Sequence, residues 1–149
     1  MFQDYSINDI KLLGFMLFID IIWITFNRKR YKNSIKKATG VESKLNLFGS
    51  ILAYVALMFS YLYFSKKLKS KMDMAILGLC LYAVWNTTNM AIFKDWDKLT
   101  ALLDTVWGGF LFGATYHVGN SELLNSMINM GSNIVSKTTN MVSGITINF

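Results

Sequence analysis

Apolar and polar stretches alternate along the chain with a long period. Four apolar runs, at about residues 10–26, 45–64, 72–93 and 99–118, are separated by polar and mostly basic connections. A membrane-spanning helix takes about 20 apolar residues at ~1.5 Å each, and the shortest run, ~17 residues, is just sufficient. Ser6 or Asn8 is placed to cap the first helix. No proline interrupts any run, so continuous helices are expected. The pattern predicts an all-α fold, an integral membrane four-helix bundle built from residues 1–118 and followed by a tail at 119–149.

The tail has its own pattern. Met127-Ile128, Ile134-Val135 and Met141-Val142 recur every seven residues, and Leu124, Gly131, Thr138 and Ile145 complete the same stripe. This spacing describes an amphipathic helix. Gly131, Gly144 and the β-branched residues weaken it in isolation, so docking is expected to stabilise it. Its polar face is Asn, Ser and Thr with only Lys137 charged, which suits a protein partner better than an anionic membrane surface.

Composition supports the membrane reading. Apolar residues make up 53% of the chain and aromatic residues 15%, and the mean hydropathy is +0.35, all high for a soluble domain of this size. Tyr54, Phe59, Tyr61, Tyr63 and Phe64 suit the headgroup level. The net charge of +6 points to topology rather than nucleic acid, because the basic residues sit in short connections without stacking aromatics. Arg28, Lys29, Arg30, Lys32, Lys36 and Lys37 crowd the connection at 27–44, read as a polar loop. The positive-inside rule places that loop in the cytoplasm and both termini outside. The single cysteine, Cys80, reads as a small buried hydrophobe, with no disulfide framework and no metal-ligand spacing.

Two charges interrupt the apolar runs, each with a tryptophan one helical turn later: Asp20-Ile21-Ile22-Trp23 and Asp104-Thr105-Val106-Trp107. An ionised aspartate at the middle of a spanning helix costs on the order of 3 kcal/mol, so both should face the bundle. The chain's reversals bring Asp20, Asn86, Asn89 and Asp104 to a common depth, roughly 6–11 Å inside the boundary that carries the basic connection. They are expected to form an intramembrane polar cluster flanked by Trp23, Tyr82, Trp85 and Trp107. Gly109 and Gly113 give a small-xxx-small face for close helix packing. Such a cluster serves either as interhelical glue or as the proton or cation site of a small oligomeric carrier. His117, near the opposite boundary, reads as an interfacial residue. The chain has no zinc-protease His-Glu spacing, glycine-framed serine or phosphate-binding loop, so no enzyme activity, cofactor or metal is expected.

The constellation of Asp20-x-x-Trp23, Tyr31, Tyr82, Asn86-Thr87-Thr88-Asn89-Met90-Ala91, Trp96 and Asp104-x-x-Trp107-Gly108 resembles domain-of-unknown-function family 2177. That family comprises small four-span membrane proteins of bacteria, algae and large DNA viruses. The similarity covers residues 11–118, and the tail is an addition to the family core. Asn86 stands where the family typically has an aspartate, so one family carboxylate is missing here. The resemblance implies a membrane setting but no established activity. The Asn-rich extension resembles membrane components of large icosahedral DNA viruses that contact a protein shell. The expectation is therefore a structural anchor whose tail docks on a partner such as a capsid protein, with the small carrier as the alternative.

Overall fold

The computed structural model describes the backbone of residues 6–42, 44 and 46–143, with side chains except at 122–125, 127–128 and 141–143. Five helices and no strand occur among these residues: α1 (Ile7–Thr39), α2 (Leu47–Ser65), α3 (Lys71–Ile92), α4 (Lys98–Gly119) and α5 (Glu122–Ser143).

Local chemistry sets the helix ends. The Ser6 amide donates to Asp9 Oδ2 at 2.8 Å, closing the start of α1. Asn46, Ser70 and Asp97 accept backbone N–H groups of Gly49, Asp73 and Thr100 at 3.1, 3.0 and 2.8 Å, each satisfying a donor that the first helical turn leaves free. Gly40 ends α1 in the left-handed region, φ 72°, where its N–H reaches Lys36 O.

The expected loop at 27–44 is mostly helix. Residues Arg28, Lys29, Arg30, Lys32, Lys36 and Lys37 continue α1 for three further turns, because charge ends an apolar run without ending a helix. Lys and Arg are good helix formers, and nothing breaks the pattern before Gly40. At about 50 Å, α1 is longer than the ~30 Å hydrocarbon core of a bilayer.

Along α1 the inward stripe is Leu12, Met16, Asp20, Trp23, Asn27, Tyr31 and Ser34, at spacings of four, four and three, repeated. It is apolar toward the amino end and polar toward the carboxyl end. Outward stand Phe18, Ile21, Ile22 and Phe26. The most enclosed helix is α4, buried on two sides through Ala101, Asp104, Gly108, Gly109, Leu111, Phe112 and Thr115. Its closest neighbour is α3, followed by α1.

The α3–α4 contact is tightest away from the expected Gly109 and Gly113 face. A Cβ on Gly78 would lie 2.2 Å from Gly108 O, and one on Gly108 would lie 2.3 Å from the Tyr82 ring. At Gly109 and Gly113 the nearest atoms would be at 3.2 and 3.0 Å. The backbones therefore meet at Gly78 and Gly108, with the expected pair on the looser flank.

Other side chains also depart from expectation. Tyr61 is buried against Phe112 with ring centroids 5.7 Å apart, and Tyr54 points to the bundle interior, so neither serves the headgroup level. Cys80 is exposed on the outside of α3. The rotation of each helix about its axis decides these placements.

Candidate functional site

The polar residues of the bundle form two linked nests rather than one four-membered cluster. In the first, the Asp20 carboxylate accepts from three neighbouring helices. Tyr54 Oη on α2 donates at 2.9 Å, Trp107 Nε1 on α4 at 2.8 Å, and Tyr82 Oη on α3 at 3.4 Å. In the second, Asp104 Oδ1 accepts the Tyr31 hydroxyl, while Asn86 Nδ2 donates to Asp104 Oδ2 at 2.9 Å and to Tyr82 O at 3.0 Å. Trp23 Nε1 in turn donates to Tyr31 Oη at 3.0 Å.

The two Asp-x-x-Trp motifs thus serve each other. Trp107, one turn after Asp104, bonds Asp20; Trp23, one turn after Asp20, reaches Asp104 through Tyr31. Between the nests the two indoles stack, with centroids 4.5 Å apart and planes 5° from parallel. Such stacking adds on the order of 1 kcal/mol beyond the buried area. Neutral donors satisfy both carboxylates. Among the described residues the ion pairs, Lys36–Glu42 and Lys66–Asp9, lie elsewhere.

Of the four residues expected to meet, Asp104 and Asn86 do so directly. Asp20 is held by aromatic donors instead of asparagine. Asn89 stays outside both nests, because its side-chain amide turns back along α3 to Trp85 O at 2.9 Å. Trp85 is 62% exposed and faces away from the cluster. Tyr82, Trp23 and Trp107 are the aromatics that take part. The site also uses Tyr31 and Tyr54. Tyr31 entered the sequence reading only through the family resemblance; the signal for its place here is the 27, 31, 34 spacing, which continues the face of Asp20 once the stretch is read as helix.

The α1 extension buttresses the mouth of the site. Ser34, 1% exposed, accepts the Asp97 N–H at 3.1 Å, tying the extension to the α3–α4 turn. Asp97 caps α4, with Oδ2 accepting Thr100 N and Thr100 Oγ1 at 2.8 and 2.6 Å. The Thr100 hydroxyl and then its amide hold the Asp97 carboxyl below the ordinary aspartate value. At Asp9 burial pulls upward, but the Ser6 amide and the Lys66 ammonium outweigh it and the net shift is again downward. Both groups therefore contribute stability above the unfolded value of 3.8 that is lost as pH falls through the folded values. Asp97→Ala is expected to remove about 1 kcal/mol at neutral pH, and to remove less as pH falls below the ordinary aspartate range. Thermal unfolding in micelles across a pH series checks this, and an equal loss at every pH would contradict it.

An all-helical bundle with buried carboxylates, outward apolar stripes and two helices, Leu47–Ser65 and Lys71–Ile92, long and apolar enough to cross a membrane defines a membrane protein. The model of the predicted membrane protein family DUF2177 matches residues 7–120, and the chain belongs to that family. No curated protein and no solved structure matches the chain. The family match ends where α4 does, leaving α5 beyond it.

Proposed function

We propose that the protein is a non-enzymatic multi-pass membrane anchor: α1 to α4 span the bilayer, the two nests lock them together, and α5 docks on a partner protein. The single observation that carries this reading is the state of α5. Every described side chain from Asn129 to Asn140 is exposed. Met130, Ile134 and Val135 stand 62, 62 and 65% open on a helix whose apolar residues share one side. Of the expected docking stripe, Leu124, Met127, Ile128, Met141 and Val142 lie outside the described side chains, and Ile145 lies outside the described residues.

Two further observations support four spans. Besides α2 and α3, the lipid-facing side of α1 is apolar through Phe18, Ile22 and Phe26, and that of α4 through Leu99, Leu102, Val106 and Phe110. Their polar residues are turned inward, which lowers their hydropathy without exposing charge to lipid. In the setting offered by the resemblance to virion membrane proteins, the partner is a protein of the shell. The bundle itself is free to form homo-oligomers through its outward faces.

Ile134→Asp with Val135→Asp is expected to leave membrane insertion and unfolding of the bundle unchanged and to abolish partner association. Deletion of residues 121–149 is expected to do the same. A photo-crosslinker at Ile134 in the native membrane should give a protein adduct. Lipid adducts alone, or full co-purification of every partner after the deletion, would overturn the docking reading.

One observation favours a carrier as the second reading: two carboxylates are held in one bundle with no Lys or Arg paired to either among the described residues. Proteoliposome flux separates the two readings. Flux that disappears in a folded Asp104→Asn variant supports the carrier, and absence of flux in the unaltered protein supports the anchor.

A further inference from the structure

The strongest feature outside the two nests is a basic hollow where α1 passes the α3–α4 turn. Two adjoining hollows, about 310 and 530 Å³, share Lys37 and Asp97 in their walls. The first is completed by Arg30, Asn33, Ser34, Lys36 and Thr100, and the second by Lys94, Asp95, Trp96 and Lys98. Lys36 is engaged by Glu42 at 3.2 Å. Arg30, Lys37, Lys94 and Lys98 enter no ion pair among the described residues.

Asp97 offsets part of this charge, yet its carboxylate is bound to Thr100. With Asp95 counted as well, the four cations leave a surplus of about two positive charges. The Trp96 ring is 9% exposed, and its buried Nε1–H has no hydrogen-bond partner. Unpaired cations around a hollow are what an anion needs, since ionised acceptors form the shorter and stronger hydrogen bonds.

Position narrows the anion. The hollow lies where α3 ends at Ile92 and α4 begins at Lys98, and its α1 wall runs from one to three turns beyond the outward-facing Phe26. On the four-span reading proposed above, on which this inference rests, the hollow begins at the boundary of the apolar stripes and faces the headgroup region, where juxtamembrane basic clusters gather anionic lipid. We infer that this hollow binds the phosphate group of an anionic lipid headgroup, with Arg30 and Lys37 supplying the charge and the α3–α4 turn forming the floor.

The test uses the full chain in neutral phosphatidylcholine nanodiscs, titrated with phosphatidic acid and followed by native mass spectrometry. Arg30→Gln with Lys37→Gln is expected to weaken binding roughly tenfold or more. Lys69→Gln, at the opposite end of the bundle, should change nothing. Asp97→Asn keeps the helix cap but removes the opposing charge, so binding should tighten severalfold, a gain that misfolding cannot produce. Unchanged affinity in the Arg30/Lys37 variant, or equal weakening by Lys69→Gln, overturns the proposal. Water-soluble glycerol 3-phosphate separates the sources. Failure to displace the lipid supports the headgroup, whereas displacement at matched concentration keeps the phosphate chemistry and overturns the lipid source.

Discussion

Gly78→Ala is expected to destabilise the bundle by about 3 kcal/mol, the upper end of what overpacking a well-packed interior costs. The added methyl would sit 2.2 Å from Gly108 O and 2.7 and 2.8 Å from Phe112 Cβ and Cγ. A backbone carbonyl inside a helix cannot rotate away, so α3 and α4 must separate. Separation lengthens the Asn86–Asp104 bond at 2.9 Å and the Tyr82–Asp20 bond at 3.4 Å, coupling a packing defect to both nests. Alanine's better helix propensity returns at most ~1 kcal/mol, too little to offset the clash. Gly14→Ala is the control. Nothing lies within 4 Å of a Cβ there, so only the propensity gain remains and stability should be equal or slightly higher. Denaturant titration in micelles measures both variants, and wild-type stability in Gly78→Ala would show that these backbones do not meet as described.

Asp20→Ala is expected to cost about 2 kcal/mol. The substitution removes an acceptor shared by Tyr54, Tyr82 and Trp107 and leaves three donors inside the bundle. In water-soluble proteins a stranded buried donor costs ~1–3 kcal/mol. Within membranes the average interhelical hydrogen bond contributes only ~0.6 kcal/mol, because the separated helices find other partners. Three such bonds give a total near the stated value. The Trp23–Trp107 stack loses its anchor in the same step, so the tryptophan emission should shift with the loss of stability. Combining Asp20→Ala with Trp107→Phe should cost less than the sum of the two, as expected for residues in direct contact. Strict additivity would mean that Trp107 and Asp20 act independently.

How much of this was legible in the residues depends on which coordinate is asked for. Helices α2, α3 and α4 lie within two residues of the apolar runs at 45–64, 72–93 and 99–118, since apolar character and helix formation coincide there. They part company in α1. Hydropathy marks where the apolar run ends, near Phe26, whereas the helix ends at Gly40, where the backbone needs a left-handed residue. Reading the basic stretch as a loop hid Tyr31 and Ser34, one a ligand of Asp104 and the other the support of the α3–α4 turn.

Depth and facing behave differently. Counting residues from a boundary gives depth at ~1.5 Å per residue, and it placed Asp20, Asn86 and Asp104 at one level. Facing turns by about 100° per residue, so a small error in helix rotation exchanges an inward residue for an outward one. Trp85 illustrates this: one residue before Asn86, it faces outward at 62% exposure, whereas Asn89 faces inward but spends its amide on its own helix at Trp85 O.

The sequence by itself determined an all-α membrane chain, a shared level for its two aspartates along the bundle, and an amphipathic helix after α4. These follow from one-dimensional properties, namely hydropathy, spacing and the absence of helix breakers. Only the tertiary structure decided that each Asp-x-x-Trp motif completes the other. Trp107 reaches across to Asp20, and Trp23 reaches Asp104 through Tyr31. That exchange requires α1 and α4 to face each other at one rotation and one separation, held where Trp23 stacks on Trp107 and Leu12 seats against Gly119.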